Sequence, residues 1–242
     1  MRRFALFALV LAFSIWGIIP AAEADSDTDA SAGEILEKYI VASRTQTENL
    51  KGLQMDVDIE AQLPKLQKSG KMHALRTISN LGKIGYNYFR FSGDNTIKKD
   101  VIARYLSAEL EAKDLASIAI TPSNYKFKYK GLMEREGRVM YIFQISPKKK
   151  MVGLYKGELW LDQATCMPVR EFGKFVKSPS VWLKSVEFVR EYEMRDGISY
   201  PKHIQSTVDT RVGVGKAEIS IDYSNYVKAD VQTADANAAG NR

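Results

Sequence analysis

Leu53-Gln54-Met55-Asp56-Val57-Asp58-Ile59-Glu60-Ala61-Gln62-Leu63 alternates apolar and polar residues without a break. Side chains on a strand point to opposite faces in turn, so six apolar positions share one face and five polar positions the other. Such a strand needs an apolar layer on one side only. That requirement suits an antiparallel sheet with one covered and one solvated face.

Reading outward, Ser31 with Glu34 forms a capping box, and Ile35, Leu36, Tyr39 and Ile40 follow at helical spacing toward Asn49. Beyond the decisive strand, residues 71–79 and 84–91 read as strands around a turn at Gly82. Asp94 or Asn95 caps a second helix, in which Ile97, Val101 and Tyr105 recur every four residues, as do Ile102, Leu106 and Leu110. Thr121-Pro122 marks its end. From there to residue 226 the pattern is of strands. Tyr125, Phe127 and Tyr129 alternate with lysines, and Val139, Tyr141, Phe143 and Ile145 follow the Glu136-Gly137 turn. Further strands fall at 156–162, at 169–175, along Val186, Phe188, Tyr192 and Met194, and after the Asp196-Gly197 hairpin signal. The expected fold class is α+β: about ten strands in an antiparallel meander, strongly curved into an unclosed β-barrel around two helices, with apolar space between the layers.

The two ends read differently. Arg2 and Arg3 precede a 16-residue apolar run at 4–19, broken only by Ser14 and Gly17, and Pro20 ends it. Ala22-Glu23-Ala24 then supplies the small-x-small pattern of signal peptidase. The run is shorter than the ~20 residues of a spanning helix. Export to the periplasm with cleavage after Ala24 is the expectation, leaving 25–30 as a disordered leader, 31–228 as one domain and 229–242 as a disordered tail. The net charge of +6 falls to +5 once the signal leaves. In an exported protein this excess suits anionic membrane surfaces and not nucleic acid. Cys166 is the only cysteine, so the fold holds without an internal disulfide; a monomer is expected.

Catalytic signatures are missing. The two histidines, His73 and His203, fall on different strands, and no spacing resembles a zinc site, a nucleophile elbow, a phosphate loop or a dinucleotide fingerprint. Asp56, Asp58 and Glu60 share one strand face, as a solvated surface does. No cofactor and no metal are expected. The aromatic positions on apolar faces are the candidate lining of a hydrophobic site: Tyr125, Phe127, Tyr141, Phe143, Trp160, Phe188 and Tyr192. Trp160 alternates with Leu159 and Leu161 and so faces away from both.

Gly157-Glu158-Leu159-Trp160-Leu161-Asp162, Thr165 and Pro168-Val169-Arg170 resemble a run found in LolA-like outer-membrane lipoprotein-sorting proteins. Val186-Glu187-Phe188, Glu191-Tyr192, Asp196-Gly197, Tyr200-Pro201, Val212-Gly213 and Ile221-Asp222-Tyr223-Ser224-Asn225-Tyr226 are similar to that family's pattern too. The resemblance implies an unclosed barrel with a helical lid over a hydrophobic cavity, and a lipid, acyl chain or lipidated protein as ligand. For the arginine with which LolA holds its lid, Arg76 and Arg90 lie on early strands. The expected function is non-catalytic binding or carriage in the periplasm, alongside an envelope transporter or outer-membrane partner. The alternative is an accessory or sensor module of an export complex with its cavity closed.

Overall fold

The computed structural model describes residues 24–110, 115–178, 183–210 and 215–228. The expected signal segment up to residue 23 and the expected tail 229–242 lie outside these residues. Helix α1 spans Ala24–Asn49, so it begins seven residues ahead of Ser31 and runs through the expected leader. Strands β1 (Leu53–Leu63), β2 (Lys68–Ile78) and β3 (Ile84–Gly93) follow. A π-helical stretch at Ile97–Ile102 leads into α2 (Ala103–Leu110), and α3 is the short Leu115–Ile118. Seven strands complete the chain: β4 (Tyr125–Arg135), β5 (Arg138–Pro147), β6 (Tyr155–Asp162), β7 (Pro168–Phe175), β8 (Leu183–Arg195), β9 (Ile198–Thr210) and β10 (Lys216–Lys228).

All ten strands form one antiparallel sheet in the order β3-β2-β1-β10-β9-β8-β7-β6-β5-β4. This is not the single meander expected. Two meanders, β1 to β3 and β4 to β10, are joined where the first strand pairs the last, Ile59 opposite Ile221. The helical insertion between β3 and β4 makes those two strands the edges, and the sheet stays open. Bulges in the β1–β10, β2–β3, β4–β5, β6–β7 and β8–β9 pairs bend it around its helices.

The alternation of β1 is realised residue by residue: Leu53, Met55, Val57, Ile59, Ala61 and Leu63 are all buried. They belong to one apolar cluster with β2, β10 and the π-helical stretch. The π turn explains a departure from the four-residue repeat. It sets Ile97 and Ile102, five positions apart, on the covered side with Leu106, while Val101 and Tyr105 are only half-buried. Gly70 gives Ile97 the room to lie on β2, since a Cβ there would come within 2.9 Å of Ile97. Asp94 is the cap, accepting the Thr96 amide at 2.7 Å.

A second cluster lies beneath α1, whose Ile35 and Tyr39 pack with Tyr125, Phe143, Ile145, Leu159, Leu161, Cys166 and Phe188. Phe175 touches both clusters, so the two helical covers share the same inner face of the sheet. Gln46 fastens the far end of α1: its side chain accepts the Ser199 amide at 3.1 Å and donates back to the Ser199 carbonyl. Among the described residues no helix is long and apolar enough to cross a membrane. Gly33 sits in α1 with nothing within 4 Å of its absent side chain. Gly33→Ala is therefore expected to raise stability by about 0.5–1 kcal/mol, read as a higher urea midpoint.

Candidate ligand-binding site

Alternation along β8 puts Val186, Phe188, Arg190 and Tyr192 on the inner face, and alternation along β7 puts Val169, Glu171 and Gly173 there. Two opposite charges thus fall inside an apolar row, directly across from each other in the β7–β8 register. Glu171 is 4% exposed. It accepts hydrogen bonds from Tyr192 at 2.8 Å, Tyr155 at 3.0 Å and the Arg190 Nη1 at 3.3 Å. Three donors around one carboxylate satisfy what burial would otherwise make costly. The Tyr155 ring meets Phe188 edge-on at 4.8 Å, and the Arg190 guanidinium lies 4.5 Å over that Phe188 ring. Gly173 makes this possible, because a Cβ there would stand 2.5 Å from the Tyr155 ring.

The electrostatics follow from the enclosure. Burial, and then the charge of Glu171, push the Tyr155 and Tyr192 phenols well above their ordinary range. Tyr39, reaching in from α1, is raised by the same two causes. For Arg190 burial acts to lower the pKa, but Glu171, helped by Tyr192, Tyr155 and Tyr105, outweighs it and the net shift is upward. The Arg190 guanidinium accordingly stays charged, and the Tyr155 and Tyr192 phenols stay neutral as donors to the Glu171 carboxylate. Tyr39 belongs to α1 and Tyr105 to α2, so the pair lies at the seam between the two helical covers.

The two partners differ in access. The Glu171 side chain keeps 5% of its surface, whereas Arg190 keeps 35%. Among the described residues Nη1 alone of the Arg190 nitrogens makes a hydrogen bond, and none of the others counts among the buried unpaired atoms. The Arg190 guanidinium thus has Glu171 and the Phe188 ring as neighbours while its side chain keeps contact with solvent.

Of the residues singled out in the sequence, Tyr125, Phe143 and Phe188 are buried in the cluster under α1, with Phe127 and Tyr141 half-buried against it. Tyr192 reaches the Glu171 carboxylate. Trp160 is elsewhere: it lies on the outer face, edge-on to Phe172 at 6.4 Å, under the Arg170 guanidinium at 5.4 Å. Sequence reasoning missed Glu171, Arg190 and Tyr155. The signal was available, since the alternation through Val186, Phe188 and Tyr192 also places Arg190.

The histidines are on the outer face of the sheet, where His73 Nδ1 lies 2.9 Å from Asp58 and His203 Nδ1 lies 2.7 Å from Asp222. Among the described residues no cluster of His, Cys, Asp or Glu could hold a metal ion. Arg76 is buried on the inner face of β2, near Met55, and Arg90 is exposed. A depression of about 410 Å³ marks the outer face between Lys156, Phe172, Val189 and Thr207, and a smaller cavity of about 110 Å³ lies between Ser117, Asn124 and Leu154. Cys166 is 4% exposed beneath α1, where burial pushes its thiol up against the opposing pull of Lys38.

No family model and no curated sequence matches the chain. Among solved structures, a DUF1329 family protein from Desulfovibrio piger is 17% identical with a TM-score of 0.43, over 85% of this chain and 97% of that one. A putative outer membrane lipoprotein-sorting protein domain from Vibrio parahaemolyticus is 13% identical with a TM-score of 0.43, over 86% and 98%. A LolA superfamily protein from Nitrosomonas europaea is 14% identical with a TM-score of 0.34, over 83% and 94%. The last two bear the name of the group that residues 157–226 resemble; at these identities and TM-scores the likeness is one of chain course, too distant to speak for function.

Proposed function

We propose that this chain is a non-catalytic periplasmic binding protein that holds the acyl part of a lipid or lipidated protein between the inner face of its sheet and α1. The observation that carries this reading is Arg190, a charged donor that keeps solvent contact while its partner Glu171 is buried, beside the apolar cluster under α1. Tyr125, Phe127, Tyr141, Phe143 and Phe188 form the apolar wall under α1, and Tyr192 reaches the Glu171 carboxylate that Arg190 also meets. Each methylene buried there contributes ~0.8 kcal/mol, so about ten of them reach the ~8 kcal/mol of micromolar binding. The export pattern of residues 2–24 and the LolA-like words of residues 157–226 support the same compartment and ligand class.

In this structure α1 occupies the face that an acyl chain would use, with Ile35 and Tyr39 buried in the cluster. Entry therefore requires α1 to lift, pivoting at the end fastened by Gln46. Saturable binding of a fluorescent long-chain acyl probe, with faster amide exchange over residues 31–42, is the expected result. A second reading is favoured by the close packing under α1, where Phe143 is 1% and Leu159 0% exposed. It is an accessory module of an envelope complex whose cavity stays closed. That module would show no saturable probe binding and no change in α1 exchange.

A further inference from the structure

We infer that the polar end of this site recognises a neutral carbonyl, the ester or amide group of an acyl chain, through the unused donors of Arg190. The inference rests on the acyl-binding reading above and adds the chemistry of the ligand's head. A guanidinium carries five N–H donors in a fixed fork. Arg190 spends Nη1 on Glu171 and, among the described residues, makes no other hydrogen bond. The guanidinium carbon stands 4.5 Å from the centre of the Phe188 ring, with Tyr105 of α2 within its electrostatic reach.

The charges beside Arg190 decide between ligand classes. A carboxylate or phosphate arriving at the free donors would also meet Glu171, fixed on the same guanidinium and already accepting from Tyr155 and Tyr192. Repulsion from Glu171 would offset part of its attraction to the guanidinium. A neutral carbonyl takes the hydrogen bond without that opposition. An alcohol is a poorer acceptor for the fork and would have to turn its own proton away. The order expected for one chain length is ester ahead of carboxylate, and ester ahead of alcohol.

Hydrogen bonds to charged groups contribute about 1.5–3 kcal/mol, so the ester should bind roughly tenfold tighter than the alcohol or better. The test is competition against a fluorescent acyl probe by a monoacylglycerol, the matching fatty acid at pH 8.5 and the matching fatty alcohol, each below its aggregation limit. It is repeated on the double variant Glu171→Gln/Arg190→Met, which removes the donors and leaves no unpaired charge. The expected result is an ester preference in the wild type that disappears in the double variant, whose far-ultraviolet dichroism matches that of the wild type. An ester preference that survives in the double variant overturns the assignment to Arg190 while leaving acyl binding in place. Tightest binding by the carboxylate overturns the neutral-carbonyl class. If no probe binds the wild type at all, the acyl-binding reading falls, and this inference with it.

Discussion

Glu171→Ala is expected to destabilise the protein by about 3 kcal/mol, lowering the thermal midpoint by roughly 6–12 °C for a domain of this size. Removing one partner of a buried ion pair costs about 3–5 kcal/mol because a charge is left behind without compensation. The lower end applies here, since Arg190 retains 35% of its side-chain surface and can draw water. The Tyr155 and Tyr192 hydroxyls lose their acceptor in the same step. Glu171→Gln/Arg190→Met should recover most of the loss: no unpaired charge remains and the amide oxygen still accepts from a phenol. Urea unfolding of the single and double variants checks this. A double variant as unstable as Glu171→Ala would show that the pair is not the cause.

Gly157→Ala should be at least as damaging. A Cβ at this position would lie 1.9 Å from the Phe172 carbonyl oxygen and 2.6 Å from the Gly173 Cα. Both obstacles are backbone of the neighbouring strand, so no rotamer change relieves the contact. The cost is expected at the upper end of the about 1–3 kcal/mol of overpacking, or beyond it. Because β6 and β7 carry Tyr155 and Glu171, the same shift would pull the polar site apart. The readout is the urea midpoint together with the near-ultraviolet dichroism of the aromatic cluster. Gly33→Ala, a change of the same size in open space, moves stability the other way and separates crowding from the mere addition of a methyl group.

How much of this was legible depends on range. Local rules were obeyed where they were strong: β1 buries its six odd positions, and Asp196-Gly197 forms the expected tight turn with φ of 51° and 76°. Asp94 caps the second helical segment, as its residue type suggested. What failed was what lacks a local signature. The pairing of β1 with β10 joins residues more than 150 positions apart, and nothing in either strand names its partner. The start of α1 at Ala24 overrode the capping box at Ser31. At the candidate site the aromatic wall could be read from period-two spacing. The same spacing also places Arg190, but its charge, like that of Glu171, reads as an interruption of an apolar row until the partner is seen across the strand.

The central claim is that α1 lifts to admit an acyl chain, and Cys166 reports on it. This thiol is buried in the cluster under α1 with Ile35 and Tyr39, and it is the only cysteine in the chain. A buried thiol with a raised pKa reacts slowly, so the native protein should be modified by a soluble disulfide reagent far more slowly than the protein in urea. The decisive measurement is that modification rate as a function of monoacylglycerol concentration, with the far-ultraviolet dichroism followed in parallel. A saturable rise is expected, with a midpoint equal to that of probe displacement and the sheet signal unchanged. A rate that stays at its ligand-free value across the titration, or rises only as the sheet signal is lost, would contradict it.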